Sequence, residues 1–273
     1  MAYSKVVTKE EFITEIKKHQ QLDSFRQGFY FEESKGCAVG CSIESIRVLK
    51  NLKHLNHNNH NLYEEYLGIP NWLACLEDKI FEMLFRYKSK EWPLEFSEAI
   101  NTGSNLDQIK IPFLVYLLEQ SINNLEQQSK TEVIKKIIEV SKQTITALKS
   151  GNKQLIDEVR PAVVSTYYAA SAATYYTIAN AFAAASAAAS VAACSSAASV
   201  AAYAVYTIAN ASAYSAAYTI AYAYAASVSA YTTADVSAYS SAYITDNAYA
   251  AYIAAAAVEK YKNKLLELIR DCK

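Results

Sequence analysis

Glycine is absent after Gly151, proline after Pro161, and leucine between Leu155 and Leu265. Charge is missing from the same stretch: no Asp, Glu, Lys or Arg falls between Arg160 and Asp235. Without glycine or proline, nothing there breaks a helix strongly or sets a tight turn. Without leucine, the apolar content on which spanning helices rely is thin. Every Ser, Thr and Tyr also opposes insertion, so no membrane span is expected. Without lysine or arginine, the tyrosines have no cations beside them to hold phosphates, which argues against nucleic acid. The whole chain, 273 residues with a formal net charge of −1, offers no global field to recruit nucleic acid or an anionic membrane. Five scattered cysteines, Cys37, Cys41, Cys75, Cys194 and Cys272, form an odd set with no disulfide framework. The residues from Met1 to Glu11 lack the apolar centre of a signal peptide. Reduced thiols in a cytoplasmic protein are the expectation.

What fills the uncharged stretch is Ala, Ser, Thr and Tyr, as in Ala183 to Ser190. Ala is the best helix former. The large residues recur at helical intervals, as at Val164, Tyr168, Tyr175, Ile178 and Phe182. Thr-Ile-Ala recurs at Thr177, Thr207 and Thr219, at unequal spacing, so no solenoid is implied. One unbroken helix would run about 150 Å and leave its stripe exposed. Several closely packed helices are expected instead, broken near Asn180, Asn210 and Asp235. The closing segment carries a heptad-like stripe of Val258, Tyr261, Leu265, Leu268 and Cys272. It is expected to dock on that bundle or on another copy of the chain.

The front of the chain reads as a mainly helical globular domain. Thr8 and Glu11 form a capping box ahead of a helix whose face is Phe12 and Ile16. Residues 28–41 read as loop or short strand, and Ser42 as the cap of a helix with Ile46, Leu49 and Leu52 on one face. His54 to Asn61 is Asn-rich and reads as a surface loop. Behind Pro70, Leu73, Leu76, Ile80, Leu84 and Tyr87 recur at helical spacing. Pro93 and Pro112 open further helices, and Thr131 caps another that ends at Gly151. The fold class is therefore all-α: a domain over 1–160, then an Ala/Ser/Tyr-rich region over 161–273 ending in an amphipathic helix.

The candidate site runs from Cys37 to Glu64. Cys37, Cys41, His54 and His60 formally satisfy a loose two-Cys, two-His zinc spacing. Ser45 and Asn51, however, stand where a finger needs core residues, so no metal and no cofactor are expected. Gly40, Cys41 and Ser42 at a helix start would instead favour a small anion, or depress the Cys41 thiol. The Gly-Lys-Ser/Thr ending of a phosphate-binding loop is missing. The acidic residues Glu64, Glu65, Glu77, Asp78 and Glu82 need no catalytic role. Asp78 and Glu82, one helical turn apart, are expected to be solvated. No hydrolase triad is recognisable.

The stretch Lys35-Gly-Cys-Ala-Val-Gly-Cys41, followed by His60, Tyr63, Glu64, Leu67-Gly-Ile-Pro70, Trp72, Leu76-Glu-Asp78 and Ile80-Phe-Glu82, resembles a group of uncharacterised bacterial and phage proteins. Trp92, Pro93, Phe96 and Glu98 continue the likeness, and those proteins also tend to end in Ala-rich tails. The gap between Cys41 and His60 is longer here, which favours Cys37, Cys41, His60 and Glu64 over His54 and His57 as ligands. The resemblance implies, by analogy, a role against host defence such as sequestering a small signal nucleotide.

The expected function is thus a non-enzymatic helical binding or assembly protein acting through its Ala/Tyr surface, as a homo-oligomer or with a protein partner. The alternative is an enzyme or ligand-sequestering protein using Cys37, Gly40, Cys41, Ser42, His60 and Glu64. Ice or surface binding by Ala/Thr helices is a further alternative. It lacks the sustained helical period that a flat array needs.

Overall fold

The structure, a computed structural model, describes residues 1–126, 132–152, 154–155, 158–159 and 258–273. These residues are predominantly helical, with one two-stranded sheet among them. The expected Ala/Ser/Tyr bundle and its breaks fall outside the described residues. No described helix is long and apolar enough to cross a membrane.

Helix α1 (Lys9–Gln21) starts at the expected capping box. The Glu11 amide donates to Thr8 Oγ1 at 3.3 Å, and the Thr8 amide donates to the Glu11 carboxylate at 3.0 Å. Phe12 and Ile16 are buried on its inner face. A short hairpin follows, β1 (Phe31–Glu32) paired antiparallel with β2 (Lys35–Gly36). Its two turn residues, Glu33 and Ser34, both hold positive φ (47° and 65°), the twist a two-residue hairpin demands.

Helix α2 (Ala38–Leu49) begins earlier than the sequence suggests. Cys37, not Ser42, is the cap: its sulfur accepts from the Gly40 amide at 3.4 Å. Ser42 lies inside the helix and is buried. The backbone is already committed upstream, because the Gly36 amide donates to the Ser24 carbonyl and the Arg26 amide to the Gly36 carbonyl.

A π-helical turn (Tyr63–Leu67) leads to α3 (Asn71–Met83), then α4 (Arg86–Ser89), α5 (Trp92–Ala99), a 3-10 turn (Leu106–Ile109), α6 (Lys110–Glu126) and α7 (Glu132–Ser150). Leu73, Leu76, Ile80 and Leu84 are buried as expected, but Tyr87 is exposed. Leu84 turns extended (ψ 156°) and ends α3, so Tyr87 falls on a new helix out of phase with the stripe.

The chain divides into two compact units, with the boundary inside α6. The first joins residues 1–117 to 259–273. Its core takes Phe12 and Ile16 from α1, Ile43 and Ile46 from α2, Leu73 and Phe81 from α3, and Trp92 and Phe96 from α5. The second unit includes the rest of α6 and α7, whose Val140, Thr144, Ile145 and Leu148 are buried. Ion pairs Glu119–Lys149 and Glu126–Lys142, each 2.9 Å, tie those helices together.

The closing helix, α8 (258–271), packs through residues 259–271 on the globular front of the first unit. Tyr261, Leu265, Leu266, Ile269 and Cys272 are its buried stripe. Leu268 is only half-buried, so the stripe follows ordinary helical spacing and not a heptad. The Asn101 amide donates to the Arg270 and Cys272 carbonyls at 3.0 and 3.3 Å. Glu259 pairs with Lys88 at 3.1 Å. Lys262, only 4% exposed, pairs with Glu95 at 2.5 Å and lies over the Trp92 ring. Lys262 also pairs with Glu259 at 3.4 Å, so removing its ammonium takes a cation from both Glu95 and Glu259. Glu95 keeps some access to water, so the cost falls below that of a fully buried pair. Lys262→Ala is expected to destabilise by about 2 kcal/mol. Urea unfolding measures it, and a loss under about 0.5 kcal/mol would mean that water already screens the pair.

Candidate functional site

The loop ahead of β1 is strapped between two helices. At one end the Gln27 side-chain amide donates to the Phe81 and Leu84 carbonyls at 2.7 and 2.9 Å, which caps the last turn of α3. At the other end the Cys37 amide donates to the Tyr30 carbonyl at 3.0 Å. That carbonyl presses on the start of α2 so closely that a Cβ on Gly40 would lie 1.6 Å from it, and one on Gly36 1.9 Å. Only glycine fits at either position. The two glycines of the Lys35–Cys41 motif therefore serve backbone approach by the chain's own loop.

Beneath this strap lies a cleft of about 250 Å³, lined by Gly28, Phe29, Tyr30, Cys37, Asp78, Lys79 and Glu82. Asp78 and Glu82 come from successive turns of α3, whose apolar residues are buried on either side of them. Cys37 comes from the start of α2. One ligand atom from each of Cys37, Asp78 and Glu82 lies within 4.8 Å of the other two. His60 joins from the Asn-rich loop: its Nε2 is 3.4 Å from Asp78 Oδ2, and the Tyr30 ring packs edge-on against the imidazole.

Asp78 is 5% exposed, and its Oδ1 is buried with no hydrogen-bond partner among the described residues. The expectation that Asp78 is solvated is thus corrected, whereas Glu82 is half-buried. α3 carries apolar side chains around most of its circumference, so carboxylates on it go inside. The Glu82 carboxylate accepts from the Gly28 amide at 2.9 Å. Burial, with Asp78 beside it, still pushes its pKa up to about 7. Glu77, one residue before Asp78, is buried in the core beside the site. It accepts from the Tyr63 hydroxyl at 2.7 Å, and burial pushes it up to about 8. Burial and the neighbouring Asp78 hold the Cys37 thiol far above its ordinary pKa despite its place at a helix N-terminus. That is the opposite of an activated nucleophile.

The residues singled out from the sequence separate into two sets. Cys37 and His60 flank Asp78. Gly40 sits under the Tyr30 carbonyl. The Cys41 thiol turns into the core, toward the Gly36 and Ser24 carbonyls at 3.5 and 3.8 Å, where burial raises its pKa. Ser42 is buried against Tyr63. Glu64 is exposed and reaches the Asn71 amide at the start of α3, at 3.4 Å. His54 is exposed, whereas His57 stacks on Phe31 and bonds Glu44 at 3.1 Å. Asp78, Glu82 and Tyr30 are the site residues that spacing alone passed over. The available signal was a pair of acids, one turn apart, set within an otherwise apolar helix.

No protein-family model, curated protein or solved structure matches the chain. The site must be read from its own chemistry.

Proposed function

We propose that the protein captures a small cationic ligand in the cleft between α2 and α3 without transforming it. The observation that carries this reading is Asp78: a nearly inaccessible carboxylate with an oxygen unpaired among the described residues, facing a cavity that Glu82 also lines. Leaving a buried acceptor unpaired costs about 1–3 kcal/mol, and more when it is charged. A bound cation removes that cost. The same carboxylates oppose a small anion. The volume lies below the range of about 300–1,000 Å³ usual for drug-sized ligands, which disfavours an enclosed nucleotide. A neutral thiol and an imidazole turned to a carboxylate make no nucleophile–base pair, which supports binding over catalysis.

The Ala/Tyr tract is proposed as a bundle of close-packed helices serving self-assembly or a protein partner in the cytoplasm. Its small, uncharged side chains favour close helix approach, and α8 returns the chain to the globular front after the tract.

A thermal-shift panel of divalent cations and small organic amines on the purified chain tests the capture reading. At least one is expected to raise the melting temperature of the native sequence and to leave Asp78→Asn unmoved. A panel with no such shift overturns the reading.

A further inference from the structure

We infer that Cys37, Asp78, Glu82 and His60 bind a divalent transition-metal ion of the zinc class. The inference rests on the cation-capture reading and names the cation.

The donor set decides the class. Calcium and magnesium are satisfied by oxygen ligands, with six or more around calcium. This cleft offers sulfur, nitrogen and two carboxylates, the mixture that suits zinc and its neighbours.

The hydrogen bonds around each donor point the same way. His60 Nδ1 lies 3.0 Å from the Asn58 carbonyl, which can only accept, so Nδ1 carries the proton. Nε2 lies 3.4 Å from Asp78 Oδ2, and a carboxylate can only accept, so a cation holds the pair together, either a proton on Nε2 or a metal ion. A metal ion bound there takes the place of a proton on Nε2, and the displaced proton passes to solvent. A histidine whose far nitrogen is fixed by a carbonyl is also the usual arrangement behind a metal-ligating imidazole. Asp78 Oδ1 is buried without a hydrogen-bond partner among the described residues, and the Cys37 thiol beside the carboxylate loses its proton when a metal binds. Glu82 uses one oxygen on the Gly28 amide and keeps the other. The Gly40 amide donates to Cys37 sulfur, a contact that suits a thiolate as well as a thiol.

A tetrahedral zinc-class ion with bonds of about 2.0–2.3 Å holds its donors about 3.5 Å apart. The Cys37, Asp78 and Glu82 atoms, within 4.8 Å of one another, need to close by about an ångström. Binding removes the thiol proton, which passes to solvent as the sulfur–metal bond forms. The positive ion then neutralises the carboxylates that burial otherwise penalises.

Cobalt(II) and zinc titrations of the full chain test the site. Cobalt is expected to produce a thiolate-to-metal charge-transfer band in the near ultraviolet, which zinc abolishes and magnesium or calcium does not. Cys37→Ser retains an N-cap acceptor and so keeps the fold. It is expected to lose the band and to weaken zinc binding at least tenfold. His60→Ala should weaken zinc about 10–100-fold while leaving the apo melting temperature within a few degrees. A missing band, or zinc held as tightly by Cys37→Ser as by the native chain, overturns the metal assignment. If amines or magnesium bind through Asp78 while zinc shows no preference, the metal inference falls and the capture reading stands. If nothing binds, both fall.

Discussion

Deleting residues 259–273 is expected to abolish cooperative unfolding of the globular front. The segment is short and is separated from the front domain by the long Ala/Tyr tract, so its removal looks harmless in the sequence. Its side chains say otherwise. Tyr261, Leu265, Leu266, Ile269 and Cys272 are buried. Fully burying a side chain of leucine or isoleucine size contributes about 1.5–3 kcal/mol. Deletion also uncovers the partners: Tyr116, which packs edge-on against Tyr261, and Trp92, under the Lys262 ammonium. The Asn101 side chain loses both carbonyl acceptors, and the Asn105 carbonyl loses the Cys272 thiol. Against a total stability of about 5–15 kcal/mol, that combined loss leaves no folded population to melt. Circular dichroism should show a broad, non-cooperative change in the shortened chain. A peptide of residues 259–273 added in trans should restore part of the transition. A shortened protein melting within a few degrees of the full chain would show that α8 is a passenger. Within the intact chain, Leu265→Ala is expected to cost about 2–5 kcal/mol, the ordinary cost of such a truncation in a packed core.

The position of α8 also marks where the sequence stops being informative. Local signals were legible. Thr8 and Glu11 form their capping box, Gly151 ends α7 with φ +64°, and the inner faces of α1 and α3 bury their periodic apolar residues. These depend on neighbours within a turn or two. The amphipathic stripe around Tyr261 was equally legible, but the surface it covers was not: a stripe states that a face must be buried, not against what. Cys37 and His60 could be named because their residue types are rare here. Their partners could not, since the Cys37–Asp78–Glu82 cluster joins two helices separated by an Asn-rich loop. Charge patterning misled for a physical reason. Acids one turn apart usually lie on a solvated face, but on α3 the exposed position is Lys79, and Asp78 falls on the buried side. The Ser42 cap failed similarly: a hydroxyl is the better cap by type, yet the pairing of Gly36 with Ser24 and Arg26 fixes the helix start at Cys37.

Gly40→Ala is expected to reverse the usual sign of that substitution. In an exposed helix, alanine is better than glycine by about 0.8–1.0 kcal/mol. Gly40 lies in the first turn of α2, so propensity alone predicts a stabilised protein. The Tyr30 carbonyl oxygen, however, lies 1.6 Å from where the new methyl would sit, with the carbonyl carbon at 2.4 Å. Both are backbone atoms, held by the Cys37 amide and by the hairpin, and cannot rotate aside as a side-chain tip would. The loop must therefore lift off α2. Lifting it breaks the Cys37–Tyr30 hydrogen bond and drags Gly28 away from Glu82. Overpacking of this kind costs about 1–3 kcal/mol, and more where backbone must move. A net loss of about 3 kcal/mol is expected in urea unfolding. The second consequence concerns the cleft, whose roof is the displaced loop. Ligand affinity should fall by more than tenfold even where the variant is still folded, because Glu82 and Tyr30 no longer hold their places around Asp78. A Gly40→Ala protein more stable than the native chain would show that the strap is loose, and with it the enclosure on which cation capture depends.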